Sequence, residues 1–331
     1  MTTFADGVYQ YGGIPVGGLG IGRVYIVADT TSSAYQYLQR QYNGAAYDDA
    51  APVLYGHTST STVVTLNGLK AALAKTVTDR NDYVIVMPSS GTYYIDELLT
   101  LNKKAVHLIC PASMICDVGC TNAARIQQIG SSLSIISVEN GGIEIAGLYL
   151  KNMPNFAHIQ VPTTASIVTP GTSAWGNCIH HNFFVSKSTT TTLPMLHGDG
   201  DGMSYSRIEK NWFTEQTSSG AWTTGVIELP GAANCEIVGN HIIIGDSGNA
   251  TYGIYCGGAK NVVAKNLFSE CGSSTIACCI AAGATSAVIG NRCAVAATHF
   301  SDAGGTASVS YVDNQDGVTE GTGGVTAQLA T

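Results

Sequence analysis

A glycine-rich run with two acidic residues is the strongest catalytic candidate in this chain. It reads His197-Gly-Asp199-Gly-Asp201-Gly-Met203, so two carboxyl groups stand two residues apart. Such a pair can act as general acid and general base, or can bind a hard cation through its oxygens. Glycoside hydrolysis needs carboxylates roughly 5–9.5 Å apart, which one flexible loop can provide. The alternative, which we favour, is an ordinary turn.

Other titratable residues add little to this candidate. Glu209 is a third possible catalytic acid, but its spacing from Glu215 and Glu228 does not place the three on one face. His180 and His181 are adjacent, and adjacent residues of a strand point to opposite faces. We therefore predict one buried and one exposed imidazole, and no metal site. No phosphate-binding loop, nucleophile elbow or dinucleotide fingerprint is present in the sequence.

Three tryptophans are candidates for contact with a glycan or a partner protein. They are Trp175, Trp212 and Trp222. Phe213 falls on a repeated apolar position and is predicted to be buried, so the neighbouring Trp212 should face outward. An outward tryptophan can stack on a sugar ring or anchor a protein interface.

Ten cysteines raise the question of disulfides or metal ligation. Cys110, Cys116 and Cys120 stand six and four positions apart, which matches no common zinc pattern. The N-terminal residues 1–6 lack the basic and apolar regions of a secretory signal. We therefore expect synthesis in a reducing compartment and free thiols.

Composition limits the classes of function. Charged residues make up only 11% of the chain and apolar residues 45%, which suits a packed core with a neutral polar surface. The net charge of −8 and the lack of a Lys/Arg cluster argue against a nucleic-acid partner. No stretch approaches the length of a membrane span. We expect no cofactor.

A short sequence motif recurs along the chain, and its spacing indicates which secondary-structure elements position these residues. It consists of an apolar residue, two others, an asparagine, one more residue and usually an apolar residue. Successive marked positions, starting from Leu148 in the place of an asparagine, are 34, 29, 29, 26, 25 and 23 residues apart. The marked asparagines are Asn182, Asn211, Asn240, Asn266, Asn291 and Asn314.

A near-constant period in the twenties, with no long helical pattern, predicts an all-β solenoid. A single strand cannot bury its own apolar face, but stacked coils can, and they also pair the backbone groups of neighbouring coils. Asparagine tolerates left-handed backbone, so it suits a bend after a strand. If the period holds, the side chains form an internal ladder in which each amide donates to the next.

The repeat resembles the right-handed parallel β-helix of tailspikes, pectate lyases and related proteins, over roughly residues 60 to 316. In the N-terminal part of this stretch, residues 65–77 form an amphipathic pattern with Leu66, Leu69, Leu73 and Val77 on one stripe. A strand ending at Met87-Pro88 and then Gly91-Thr-Tyr93 follow. The resemblance implies that this helix caps the open end of the solenoid.

The enzymatic branches of the resembling class carry motifs that this chain lacks. The pectin-hydrolysing branch has a paired Asp-Asp and a Gly-His-Gly, but here Asp48-Asp49 precedes the solenoid and no Gly-His-Gly occurs. Ser206-Arg207-Ile208-Glu209 matches the branch's Arg-Ile-Lys only loosely. The acid cluster with which the lyase branch binds calcium is also missing.

These patterns divide the chain into four parts. Residues 1–22 form a Gly- and Tyr-rich N-terminal arm, 23–82 hold a strand and the capping helix, 83–316 form the β-helix, and 317–331 form a C-terminal arm. The stem should have on the order of nine coils and a length of about 40–45 Å. Two inserts, 154–176 and 186–203, should project from it.

Two functions follow as expectations. The resemblance favours a non-enzymatic bacteriophage virion protein, a β-helical spike or fibre or a capsid-decorating protein. It would be a homotrimer exposed on the particle and attached to capsid or tail proteins through its arms. The alternative is a polysaccharide depolymerase, a hydrolase or lyase acting on bacterial surface glycans through Asp199, Asp201 or Glu209.

Overall fold

The protein is mainly β, with two short helices and long parallel sheets. The structure, a computed structural model, describes residues 9–11, 14–16, 22–42, 53–111, 124–129, 134–152, 159–161, 175–186, 194–215, 221–244, 249–270, 275–293, 296–303 and 309–316. The C-terminal arm at 317–331, most of the predicted insert at 154–176 and residues 187–193 of the insert at 186–203 lie outside these residues.

We number the strands in chain order and describe them by sheet. A separate antiparallel hairpin joins β1 (Tyr9–Tyr11) and β2 (Ile14–Val16), where an extended arm was expected. Sheet 1 contains β3 (Val24–Asp29), β4 (Val53–Ser59), β5 (Val64–Leu66), β6 (Asp82–Val86), β9 (Val106–Ile109), β12 (Glu144–Ala146), β15 (Cys178–His180), β18 (Arg207–Glu209), β21 (Glu236–Val238), β24 (Val262–Ala264), β27 (Ala287–Ile289) and β30 (Ser310–Val312). Sheet 2 contains β7 (Thr92–Ile95), β10 (Ala124–Gln128), β13 (Leu148–Asn152), β16 (Phe183–Ser186), β19 (Trp212–Glu215), β22 (His241–Ile244), β25 (Leu267–Glu270), β28 (Arg292–Cys293) and β31 (Gln315–Asp316). Sheet 3 contains β8 (Leu99–Leu101), β11 (Ile136–Val138), β14 (Ile159–Val161), β17 (Leu196–Gly198), β20 (Ala221–Leu229), β23 (Asn249–Cys256), β26 (Thr275–Ala282) and β29 (Ala296–Asp302).

From β6 onward the chain visits sheets 1, 2 and 3 in turn. Each strand therefore pairs with the strand three places before it and the strand three places after it, always in parallel. Within sheet 1, β5 at the N-terminal edge pairs antiparallel with β4. This arrangement is compatible with a β-helix-like fold.

Alternation along the strands separates an apolar interior from an outer surface. In sheet 2, Phe184, Phe213 and Phe268 are fully buried, and the rings of Phe184 and Phe213 stack 4.5 Å apart. In sheet 1, the middle residue of each short strand points inward, as Ile179 and Ile208 do. One continuous cluster of buried side chains runs through the stack from Tyr25 to Val309.

The six marked asparagines lie in one column between sheets 1 and 2, in successive register. Each Nδ2 donates to the Oδ1 of the next asparagine at 2.9–3.1 Å, and each backbone N–H donates to the same Oδ1. The second Nδ2 hydrogen reaches a carbonyl of the preceding coil, as from Asn182 to Ile145. Because Asn182 to Asn291 are almost completely buried, these bonds satisfy amides that water cannot reach.

The bend at this corner is made by the residue before each asparagine, and not by the asparagine as the sequence suggested. The preceding residues have φ between 51° and 67° and are His181, Lys210, Gly239, Lys265, Gly290 and Asp313. The asparagine keeps a negative φ and turns its side chain into the interior.

A second buried polar column, missed in the sequence, lies at the corner where the chain enters sheet 1. Five residues before each of five ladder positions stand Asn177, Ser206, Cys235, Asn261 and Ser286, all at most 2% exposed. The backbone N–H of Asn177 donates to Ser206 Oγ, and that of Cys235 donates to Asn261 Oδ1, at 3.1 and 2.9 Å. Because the residue type varies along this column, no repeated letter marks it in the sequence. The constant distance of five residues from each ladder asparagine is the signal that could have revealed it.

The N-terminal helices differ from the prediction. The helix predicted over 65–77 is α2 (Gly68–Leu73), which Asn67 caps through its side-chain oxygen. Leu69 and Leu73 are buried, whereas Leu66 lies in β5 and Val77 is exposed. A further helix, α1 (Ser33–Tyr42), lies between the predicted strand and the capping helix, where no helix was predicted. It packs Leu38 on the outer face of sheet 1.

One cysteine pair departs from the expectation of free thiols. Cys279 of β26 and Cys293 of β28 form a disulfide. Their Cα atoms lie 6.3 Å apart, within the span that a disulfide bridges, because strands from two sheets meet in the interior. Cys178, Cys235 and Cys256 are free thiols.

The ladder predicts a position-dependent loss of stability. Asn240→Ala should lower the free energy of unfolding by roughly 2–5 kcal/mol, because two buried donors of Asn211 lose their acceptor. Asn314→Ala removes the same two contacts from Asn291 at a half-buried position, where water can replace them. Asn314→Ala serves as the control and should lower the free energy of unfolding by only about 1 kcal/mol. Urea unfolding followed by circular dichroism measures both, and equal losses would contradict a buried hydrogen-bonded ladder.

Candidate functional site

The densest group of titratable side chains lies on the outer face of sheet 1. Register places Glu144 of β12 beside His107 of β9, and His180 of β15 two residues further along the next strand. Glu144 Oε2 lies 2.5 Å from His107 Nδ1, and its Oε1 lies 2.8 Å from His180 Nε2. With His181, these residues form what we call the imidazole network. Sequence spacing gave no signal for it, because its members come from three coils.

His180 and His181 do not face opposite ways as predicted. Their Nδ1 atoms lie 2.8 Å apart, and both side chains are half-buried on the outer side. The cause is the left-handed φ of 54° at His181, which breaks the strand alternation. Since His180 directs Nε2 at Glu144, hydrogen bonding favours a proton on that nitrogen and leaves His180 Nδ1 to accept from His181.

Hydrogen bonding sets the charge of Glu144. The hydrogen bonds from His107 and then His180 lower the pKa of Glu144 to about 2, although burial opposes the shift. Glu144 is therefore ionised at neutral pH and can orient imidazoles, but it cannot serve as a general acid. Burial lowers the pKa of His181 and raises the pKa of Cys178 to about 11, so the neighbouring thiol is not a nucleophile.

The predicted catalytic loop contributes to a second group, on the outer face of sheet 3. His197 Nε2 lies 2.6 Å from Asp199 Oδ1, and its Nδ1 lies 3.5 Å from Glu228 Oε2 of the next strand. We call these three residues the His197 cluster. Glu228 and then Asp199 raise the pKa of His197, while burial opposes the shift. Sequence reasoning found Asp199, set Glu228 aside because of its spacing, and gave His197 no role of its own.

The three predicted catalytic acids are not brought together in one site. Asp201 is exposed, and its carbonyl accepts from the backbone of Ser204 at 2.9 Å, which is the hydrogen bonding of a turn. Glu209 lies in sheet 1, where Arg207 Nη2 binds its Oε2 at 2.9 Å. Asp199 and Glu209 thus belong to different sheets, each with its own partner.

The tryptophans differ in how much ring surface they offer. Trp212 stands in an outer row of sheet 2, which we call the aromatic row: Tyr149, Phe183, Trp212 and His241. Neighbouring ring centroids are 4.2–6.3 Å apart, so the faces of Trp212 are already in contact with its neighbours. The row therefore presents edges rather than a platform on which a sugar could stack.

Trp175 is the tryptophan that offers open surface. It is 40% exposed, and its ring lies 5.5 Å from that of Tyr205, which is 59% exposed. Sequence reasoning missed Tyr205, since it stands at a corner rather than in an apolar pattern. The side chain of Trp222, in β20, lies outside the described residues.

Two observations limit the chemistry. Within the part of the chain that the structure describes, no group of three or more His, Cys, Asp or Glu side chains is arranged to hold a metal ion. Neither described helix has the length and apolar character that crossing a membrane requires. Comparison of the chain with models of protein families, with curated proteins and with solved structures finds no match.

The imidazole network predicts a specific acid sensitivity. A carboxyl whose folded pKa is depressed adds stability above its unfolded pKa, and that stability is lost as pH falls through the folded value. For Glu144 the loss should extend from about 4.5 down to about 2. Glu144→Gln should therefore be less stable than the parent at neutral pH and should converge with it near pH 2. Urea midpoints across this range measure the difference.

Glu236→Gln is the matched control, because Glu236 lies on the same face but its side chain is 55% exposed. It should follow the parent protein at every pH. A Glu144→Gln curve parallel to that of the parent would show that Glu144 does not couple to the two histidines.

Proposed function

We propose that this chain is a non-enzymatic structural protein of a bacteriophage particle, folded as a right-handed parallel β-helix. Support for the solenoid comes from the parallel pairing, from β6 onward, of strands that stand three places apart in the chain, and from the asparagine column. Support for a cap comes from α2, whose Leu69, Ala72 and Leu73 join the interior cluster beside the first strands.

One observation carries the choice of a structural role over an enzymatic one. The acids that could cleave a glycan are dispersed and individually bonded: Asp199 to His197 on sheet 3, Glu209 to Arg207 on sheet 1, and Glu144 between two histidines. Cleavage of a glycosidic bond needs two carboxylates on either side of one bond, with different protonation states. The arrangement here instead favours a surface on which hydrogen bonds and ion pairs hold each acidic side chain to a neighbouring residue.

In this proposal the protein is a spike, a fibre or a capsid decoration. It is a homotrimer exposed on the virion and attached to capsid or tail proteins through residues 1–22 and 317–331. A long stack of strands with satisfied buried amides suits this role, because rigidity and resistance to unfolding outside the cell matter more than movement.

The particle itself gives the direct test. Mass spectrometry of purified virions from the phage that encodes this chain should detect the protein in fixed copy number relative to the major capsid protein. Immunogold labelling should place it on the outside. Absence from washed particles, with the protein present in the lysate, would refute the proposal.

A polysaccharide depolymerase is the second candidate, and the His197 cluster is the observation in its favour. There, Asp199 and Glu228 lie on either side of one imidazole whose pKa is raised. If this candidate were correct, purified protein would release reducing or unsaturated ends from host surface glycans. Asp199→Ala or Glu228→Gln would abolish the release, while Glu209→Gln, on another sheet, would retain it. We expect no release from the parent protein.

A further inference from the structure

The outer face of sheet 1 carries exposed aliphatic side chains over its last four strands. Val238, Ala264, Ile289 and Val312 are successive register partners, and Val262 stands beside Ala264 in β24. Val262, Ile289 and Val312 are 37%, 36% and 44% exposed. We call these five residues the apolar patch. Large aliphatic groups arranged contiguously on a surface are typical of an interface rather than of free solvent contact.

The same column of sheet 1 is apolar at its other end, and there it is covered. Ile26, Ile85, Ile109 and Ala146 are successive partners in register, and α1 packs Leu38 against them. Between the two apolar ends stand His180 and Glu209. The column thus shows how this fold treats outward aliphatic residues: a packed element covers them. Among the described residues, no helix or strand does so at the patch.

Charge indicates what covers the patch. Lys260 and Lys265 stand at the two corners on either side of β24, and both are exposed. Among the described residues neither lysine forms an ion pair. These two lysines belong to a chain of net charge −8. Acidic side chains stand on the same face: Glu236, the register partner of Val262, and Glu209 present carboxylates that Arg207 also contacts, and the exposed Asp313 follows Val312.

We propose that the apolar patch is the centre of a contact with a second copy of this chain, in which Lys260 and Lys265 meet carboxylates of that copy. The patch covers four strands at about 4.8 Å spacing, an area on the order of 250 Å². A stable interface needs about 800 Å² from each partner, so the patch forms the apolar core and the charged residues around it form the rim. This inference rests on the proposed function, since it names the surface through which the assembly forms.

Light scattering coupled to size-exclusion chromatography tests the surface. The parent chain should be oligomeric at micromolar concentration, and Ile289→Asp should raise the apparent dissociation constant at least about 100-fold, because it buries a charge at the interface centre. Lys260→Glu combined with Lys265→Glu should raise it about 10-fold at low salt and much less at high salt. Circular dichroism and urea midpoints establish that each variant is folded.

Val77→Asp is the matched control, because Val77 is 45% exposed but lies beyond α2, outside the patch. It should leave the oligomer intact. A parent chain that is monomeric up to about 100 μM, or an oligomer that Ile289→Asp does not weaken, would overturn the inference. Either result is compatible with finding the protein in virions, so the surface and the proposed function fail separately.

Discussion

The structure depends on buried amides that can be satisfied only by the coil above or below. Asn211 illustrates this: its backbone and side-chain N–H groups bind Asn240, while its Oδ1 accepts from Asn182 and its second Nδ2 hydrogen reaches Ile179. Apolar contacts tolerate a small slip between coils, because they have no direction. A displaced amide column does not, since every rung would leave donors without acceptors in a medium without water. The ladder therefore sets register, and the aliphatic and aromatic interior supplies most of the burial.

Because the interior residues supply both register and burial, the outward-facing residues can vary. The corner position before each asparagine needs a left-handed backbone, and histidine, lysine, aspartate and glycine all occupy it. Outward residues of the three-residue strands in sheet 1 vary in the same way, from Glu144 and Cys178 to Val262. Charged groups can thus accumulate on the surface without disturbing the interior. The imidazole network and the His197 cluster are both made of such outward residues, which explains why their members are far apart in sequence.

The sequence was sufficient where one residue type repeats at one position. The asparagines marked the corner at which successive parallel strands lie in register, and the alternation of Trp212 and Phe213 predicted which side faces inward. The sequence was insufficient where different residue types perform one role. Asn177, Ser206 and Cys235 share a buried column, but no repeated residue type marks it. It also failed where a local backbone state overrides alternation, as at His181, and where a disulfide joins two sheets, as between Cys279 and Cys293. Helix α1 was missed because its sequence is rich in Tyr and Gln and low in hydrophobicity, with one buried leucine.

The outer column of sheet 1 also shows how a flat parallel sheet limits unwanted association. A continuous aliphatic column from Ile26 to Val312 would be a long exposed apolar surface, through which other chains could associate non-specifically. His180 and Glu209 interrupt it, and the network around Glu144 holds charge at that interruption by keeping the carboxylate ionised. At one end of the column, α1 covers the aliphatic residues. At the other end, the aliphatic residues form only the short apolar patch beside Lys260 and Lys265. Position along the stack, rather than the residues of any single coil, therefore decides which part of this face remains free for another chain.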